Sequence, residues 1–71
     1  MNRQSVNSSN IASIGYDSSS RTLEIEFHSG GIYQYLNVPE SIYNGLMGAT
    51  SHGEYFDTYV KKAGYSFRKV K

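Results

Sequence analysis

Arg21-Thr22-Leu23-Glu24-Ile25-Glu26-Phe27-His28, then Ser29-Gly30-Gly31, then Ile32-Tyr33-Gln34-Tyr35-Leu36-Asn37, is the stretch that decides the fold. In its first part Leu23, Ile25 and Phe27 alternate with Thr22, Glu24, Glu26 and His28. A period of two puts the apolar set on one side of an extended strand and the polar set on the other, the mark of a half-buried antiparallel strand. The glycine pair is a hairpin loop, and Ile32–Asn37 is the returning strand. Its own pattern is ambiguous, because Ile32 and Leu36 oppose Tyr33 and Tyr35. The loop length decides. A three-residue loop at 29–31, with glycine in the left-handed position, pairs His28 with Ile32, Phe27 with Tyr33 and Ile25 with Tyr35. Both tyrosines then face the core. A loop of two or four residues would set Gln34 opposite Ile25 on that face, which is costly.

Upstream, Ile11–Asp17 reads as another strand, with Ala12, Ile14 and Tyr16 on one face and Gly15 marking a bulge. Asp17-Ser18-Ser19-Ser20 is a turn. Residues 1–10 are polar and repeat Ser and Asn, so they read as a flexible N-terminal arm, leaving 11–71 as a single domain. Downstream, Val38-Pro39 ends the sheet, since proline cannot donate to a ladder but suits a helix start. The spacing predicts a helix over 40–48, weakened by Gly45. Ser51 and Glu54 form a capping box that opens a second helix over 52–63, with Phe56, Val60 and Ala63 on one stripe. On its outer face Asp57 and Lys61 make an i,i+4 pair, and Gly64 ends it. Tyr65 and Phe67 then alternate with Ser66 and Arg68, which admits a fourth strand at the sheet edge. The expectation is an α+β domain: a three-stranded antiparallel meander, then two short helices on one sheet face. Ile25, Phe27 and Tyr35 pack on Phe56 and Val60. The other face, with Glu24, Glu26, His28, Gln34, Ile32 and Leu36, stays wet.

Seventy-one residues allow one core at most, and 38% of them are hydrophobic. Seven tyrosines and three phenylalanines therefore carry much of the buried area. There is no cysteine, so no disulfide or thiolate zinc site staples the fold, and packing must suffice. The polar start Met1–Ser5 leads into no apolar signal-peptide core, and no run approaches the length of a membrane span. A cytoplasmic protein with no membrane partner is expected. The net charge of +1 hides an asymmetry. Residues 1–60 hold two arginines against six carboxylates, a net of −4, whereas 61–71 hold five cations and no anion, a net of +5.

Several segments, in order, resemble the KTSC domain. They are Ser8-Ser9-Asn10-Ile11 leading to Gly15-Tyr16-Asp17, then Leu23–Phe27 with Ser29-Gly30, then Tyr33-Gln34-Tyr35, Asn37-Val38-Pro39, and Ala49-Thr50-Ser51-His52-Gly53-Glu54-Tyr55-Phe56. Tyr33 and Tyr35 match the family's YxY motif. The resemblance spans roughly residues 8–69. The family is named for its occurrence at the C-terminus of some lysyl-tRNA synthetases and also occurs as stand-alone small bacterial proteins. The resemblance implies the same small fold and suggests nucleic-acid binding.

The candidate sites each have a plainer alternative. Lys61, Lys62, Arg68, Lys69 and Lys71, interleaved with Tyr65 and Phe67, suit phosphate contact and base stacking; a solvated tail is the alternative. Tyr33 and Tyr35 suit a stacking platform, but the register favours the core. Glu24, Glu26 and His28 project together as cation ligands would, yet such a row is more often the wet face of a sheet. Ser51 beside His52 suggests a nucleophile and base, but sequence neighbours rarely face each other and the cap explains Ser51. No acid–base pair, phosphate loop or triad order is present. The expectation is a non-enzymatic binding module without metal or cofactor. It takes RNA or other nucleic acid on its basic C-terminal segment. The alternative is a protein partner or a second copy at an exposed sheet edge or the polar sheet face.

Overall fold

The structure, a computed structural model, describes residues 1–71. Strands β1 (Arg3–Ser5), β2 (Ile11–Asp17), β3 (Thr22–Phe27) and β4 (Ile32–Tyr35) precede helices α1 (Glu40–Gly48) and α2 (His52–Phe56). A π-helical turn, Asp57–Lys61, continues α2, and β5 (Phe67–Lys69) ends the chain's regular structure. The five strands form one antiparallel sheet in sequence order, two more than the expected meander.

The β3–β4 hairpin sets the faces. Leu23 lies opposite Tyr35, Ile25 opposite Tyr33 and Glu26 opposite Ile32. The loop has the expected three residues, but they are 28–30: Phe27 N–H bonds to Gly31 O at 2.9 Å, and Gly30 takes φ 103°. With two adjacent glycines, either loop ends on a residue free to be left-handed, so the pattern cannot choose between them. The β2 entry chooses. His28 N–H bonds to Asn10 O at 2.9 Å, and His28 Nε2–H to Ser8 O at 2.9 Å, drawing His28 out of the ladder. Every expected pair is displaced by two residues, a shift that preserves the faces.

β2 pairs with β3 through Ile14–Ile25 and Tyr16–Leu23, and its bulge falls at Ala12 rather than Gly15. The extra residue turns Ile11 inward in place of Ala12. Gly15 makes room for the residue that leads into β1: a Cβ there would lie 2.7 Å from Asn2 O. The polar arm is thus a strand at residues 3–5, with Arg3 opposite Gly15 and Ser5 opposite Ser13. Its side chains are all exposed, so no alternation announces it. At the other edge β5 pairs Phe67 with Tyr35 and Lys69 with Tyr33. Ile32, expected on the wet face, is buried. The chain end runs beside it, bonding Val70 N–H to Ile32 O and Ile32 N–H to Lys71 O.

The helices cover one face. Ile11, Ile14, Leu23, Ile25, Tyr35, Val38, Leu46, Phe56 and Val60 form the core, and Phe27 is half-buried against it. Fully burying one such aliphatic side chain contributes about 1.5–3 kcal/mol. Tyr16 stacks on Tyr43 at 5.0 Å and donates its hydroxyl to Val38 O. Ser51 caps α2 by accepting from Glu54 N–H at 3.2 Å. His52 Nδ1–H donates to Leu46 O at 2.8 Å and so ties the start of α2 to the end of α1. Gly45 is where the two helices touch: a Cβ on it would fall 2.0 Å from the Tyr55 hydroxyl. No helix is long and apolar enough to cross a membrane.

Candidate functional site

The five strands build two unlike faces. Away from the helices, polar side chains link the whole sheet. Arg3 of β1 donates to Ser13 Oγ at 2.9 Å and to Glu24. Ser13 donates to Glu26 at 2.8 Å. Gln34 of β4 donates to Glu24 at 2.8 Å and accepts from Arg68 Nε of β5 at 2.9 Å. Glu24 is only 6% exposed, although no secondary element lies over it. Burial pushes its carboxyl up, but the hydrogen bonds from Gln34 and Arg3, and the Arg3 charge, outweigh that and hold it below its ordinary value. This face is satisfied by its own partners. Its carboxylates do not join His28, which sits in the hairpin loop on Ser8 O, so the Glu24–Glu26–His28 row is no cluster of ligands.

The helix side is different. Where the π-helical turn rises off the sheet, a groove of about 540 Å³ stays open. Five rings form a closed cycle along it. Phe27 meets Tyr33 at 5.8 Å, Tyr33 meets Phe67 at 6.1 Å, and Phe67 meets Tyr35 at 5.5 Å. Tyr35 then meets Phe56 at 5.4 Å, and Phe56 returns to Phe27 at 5.5 Å. Offset and edge-on pairs at these distances hold ring positions firmly. Tyr65 adds a sixth aromatic wall, and Lys61, Asp57, Asn10 and Ser29 supply the polar lining. Phe67 remains 61% exposed, an apolar ring presented to solvent. The Tyr33 and Tyr35 hydroxyls make no hydrogen bond within the chain, and no buried polar atom is left unpaired, so both reach solvent. Burial, with a lesser effect from Tyr33, pushes the Tyr35 phenol above its ordinary value, so it stays a donor.

A second cleft of about 520 Å³ lies next to the first, lined only by polar groups and glycine. The loop Asn7–Asn10 forms one wall and Thr50–Glu54 the other, with Asp57 at the end. Asn10, Gly53 and Asp57 line both clefts. Gly53 lets the Asn10 amide pack between them: a Cβ on it would sit 2.7 Å from Asn10 Oδ1.

The π-helical turn aims the charges. The sequence places Asp57 with Lys61, four residues on. The i→i+5 bond from Lys62 N–H to Asp57 O (3.1 Å) rotates the turn, so Lys62 Nζ reaches Asp57 at 3.3 Å and Lys61 lines the groove. The basic C-terminal set is therefore divided. Lys61 lies in the groove and Lys69 projects on the groove side of β5 opposite Tyr33. Arg68 is bound to Gln34 on the far face, Lys62 is paired with Asp57, and Lys71 lies at the exposed chain end. Tyr65 and Phe67 both line the groove, as do Tyr33 and Tyr35, which are at once core and wall. Sequence reasoning missed Phe27, Phe56, Asn10 and Asp57 as site residues. The available signal was that Phe27 ends its apolar row beside the hairpin loop, where a core face meets its rim.

A model of the KTSC domain matches residues 7–65. The chain belongs to the KTSC domain family. A solved KTSC domain protein from Yersinia pestis is 47% identical and superposes with a TM-score of 0.93, covering 99% of this chain and 97% of that one. An uncharacterized protein of Stutzerimonas stutzeri is 36% identical over 70 residues, 99% of both chains. A lysine–tRNA ligase of Nostoc punctiforme is 40% identical over 51 residues, which are 72% of this KTSC domain but 9% of that protein. Three of the segments that carried the resemblance line the clefts. Ser8–Asn10 and Thr50–Glu54 line the polar cleft, and Tyr33 and Tyr35 line the aromatic groove.

Proposed function

We propose that this KTSC domain is a binding module rather than an enzyme, and that it holds single-stranded RNA in the aromatic groove. One observation carries the reading: six aromatic side chains share one open groove with Lys61, and Phe67 offers an exposed ring at its lip. Bases stack on such rings whatever their sequence, at about 1–3 kcal/mol each, while cations meet the backbone. Lys61, which lines the groove, and Lys69, opposite Tyr33, are the cations that would meet phosphates on this side. The lysine–tRNA ligase relatives, which carry the domain as a small part of their length, support RNA as the partner.

The test is fluorescence anisotropy with labelled single-stranded RNA, folded tRNA and duplex DNA at low and high salt. Two or three phosphate contacts give a slope of log K against log salt of about −1.4 to −2.1, at ~0.7 per contact. Phe67→Ala weakens single-strand binding by ~1–3 kcal/mol if a base stacks there. Lack of binding to any nucleic acid at low salt refutes the reading.

A second reading, a protein partner or a second copy added at the β5 edge, is favoured by Phe67 and Val70, 61% and 47% exposed on or beside an edge strand of three residues. Strand addition responds little to salt, which separates the two. The polar sheet face is the weaker surface for either, because its groups are already bonded to one another.

A further inference from the structure

β5 brings the exposed ring of Phe67 to the groove, yet it is a three-residue edge strand whose side chains are all exposed. Little buried area holds such a segment, so it opens readily. Backbone bonds tie it to β4: Leu36 N–H to Ser66 O and Val70 N–H to Ile32 O, both at 2.8 Å. On the groove side Phe67 meets Tyr33 and Tyr35. From the far face one side-chain bond reaches it, Arg68 Nε–H to Gln34 Oε1 at 2.9 Å.

Gln34 is held in the orientation this bond needs. Its amide lies between Glu24, which accepts from Nε2 at 2.8 Å, and Arg68, which donates to Oε1. A reversed amide would set its oxygen against a carboxylate and its NH2 against a guanidinium, acceptor on acceptor and donor on donor. Opposite charges on its two sides therefore fix its polarity. Glu24 is itself buried and bound by Arg3, so the acceptor offered to β5 is anchored through β3 to β1. Gln34 pairs with Arg68, and strand alternation sends their neighbours to the other face: Tyr33 opposite Lys69 and Tyr35 opposite Phe67.

Resting on the groove reading above, we infer that Gln34 and Arg68 are positioning residues for the groove: their bond on the far face holds β5 and so sets where Phe67 and Lys69 stand. Neither touches the bound strand. Arg68, a cation that charge counting alone would give to a phosphate, acts through its Nε donor and not through its charge.

Two substitutions separate the bond from the charge. R68Q keeps an N–H donor at the same place along the side chain and loses the charge; R68M keeps the length and loses both. Thermal melts check that each is folded. Amide hydrogen exchange then reads the strand without any ligand. In R68M the Leu36 and Val70 amides should exchange about three- to tenfold faster, the range for losing one net hydrogen bond, with the amides of β2 and β3 unchanged. In R68Q they should stay within about twofold of the unaltered chain. Adding R68M to Q34L, which lacks the acceptor, should bring no further increase. Fluorescence anisotropy with labelled single-stranded RNA should follow the same order, because a loosened strand must be ordered again on binding. R68M should bind about three- to tenfold more weakly and R68Q within about twofold, with the salt slope the same in all three proteins.

Unchanged exchange in R68M, exchange as fast in R68Q as in R68M, or a full further increase in Q34L/R68M overturns the inference whether or not RNA binds. Faster exchange in R68M with unchanged RNA affinity overturns the link from β5 to the groove. Equal weakening of both variants, with the slope reduced by ~0.7, gives Arg68 to a phosphate and overturns its positioning role. An unaltered chain that binds no RNA refutes the groove reading, and the exchange rates alone then decide whether the far-face bond holds β5.

Discussion

Two glycines three residues apart in α1 should respond oppositely to alanine. On a helix scale each replacement gains up to about 1 kcal/mol. At Gly48 nothing lies within 4 Å of the added Cβ and φ is not positive, so part of that gain is realised, less because the residue ends the helix. At Gly45 the Cβ would fall 2.0 Å from the Tyr55 hydroxyl, 2.6 Å from Cζ and 3.1 Å from Cε2. The phenolic oxygen is fixed in the plane of its ring and cannot swing aside, so the whole ring must move. Tyr55 packs on the core and meets Tyr59 in a tilted pair at 4.5 Å, so its displacement forfeits contacts on two sides. Overpacking of this kind costs about 1–3 kcal/mol, and loss of the ring pair about 0.5–1.5 kcal/mol more. The balance is a net loss of roughly 0.5–3.5 kcal/mol for Gly45→Ala against a small gain for Gly48→Ala. In a domain of this size each kcal/mol shifts Tm by about 4–8 °C. Thermal and urea melts followed by circular dichroism read both variants. A Gly45→Ala protein that melts at or above the unaltered chain refutes the packing of Tyr55 over α1.

The depressed Glu24 carboxyl gives stability that is complete above its ordinary value of 4.5 and is lost as pH falls through its lower folded value; Glu24→Gln should therefore destabilise at pH 7 and flatten the acid limb of a stability–pH curve. Ser51→Ala should cost about 1 kcal/mol in a urea melt while Ser51→Asp stays near neutral, because only the cap to Glu54 N–H is lost. Ile25→Ala, at a position fully buried between sheet and helices, should cost about 2–5 kcal/mol and bring the domain close to unfolding at room temperature.

What the sequence disclosed depended on whether the cause was local. The alternation from Leu23 to Phe27, the span of α1 and the Ser51 cap are set by residues within a few positions of one another, and the structure has them as expected. β1 has no such cause. Arg3, Gln4 and Ser5 bury nothing, and the strand exists because Gly15 leaves room and Glu24, twenty-one residues away, holds the guanidinium. The bulge at Ala12 is chosen by which isoleucine reaches the core, a choice made in three dimensions. The π-helical turn has no pattern in its residues, yet it decides that Lys62 pairs with Asp57 and Lys61 turns to the groove. A strand also sends neighbours to opposite faces, so five nearby cations became several separate placements once β5 paired with β4. The aromatic content was plain from the start; that its rings close a cycle around a groove required the hairpin, α2 and β5 together.

The central claim is that the aromatic groove is where the partner sits. Titrating the 15N-labelled chain with a short single-stranded RNA and following its amide resonances tests it directly. The account predicts shifts concentrated at Asn10, Phe27, Tyr33, Gly53, Lys61 and Phe67, with Ser13, Glu24 and Gln34 on the far face undisturbed. Shifts centred on the far face, or a spectrum that RNA leaves unchanged, would contradict it.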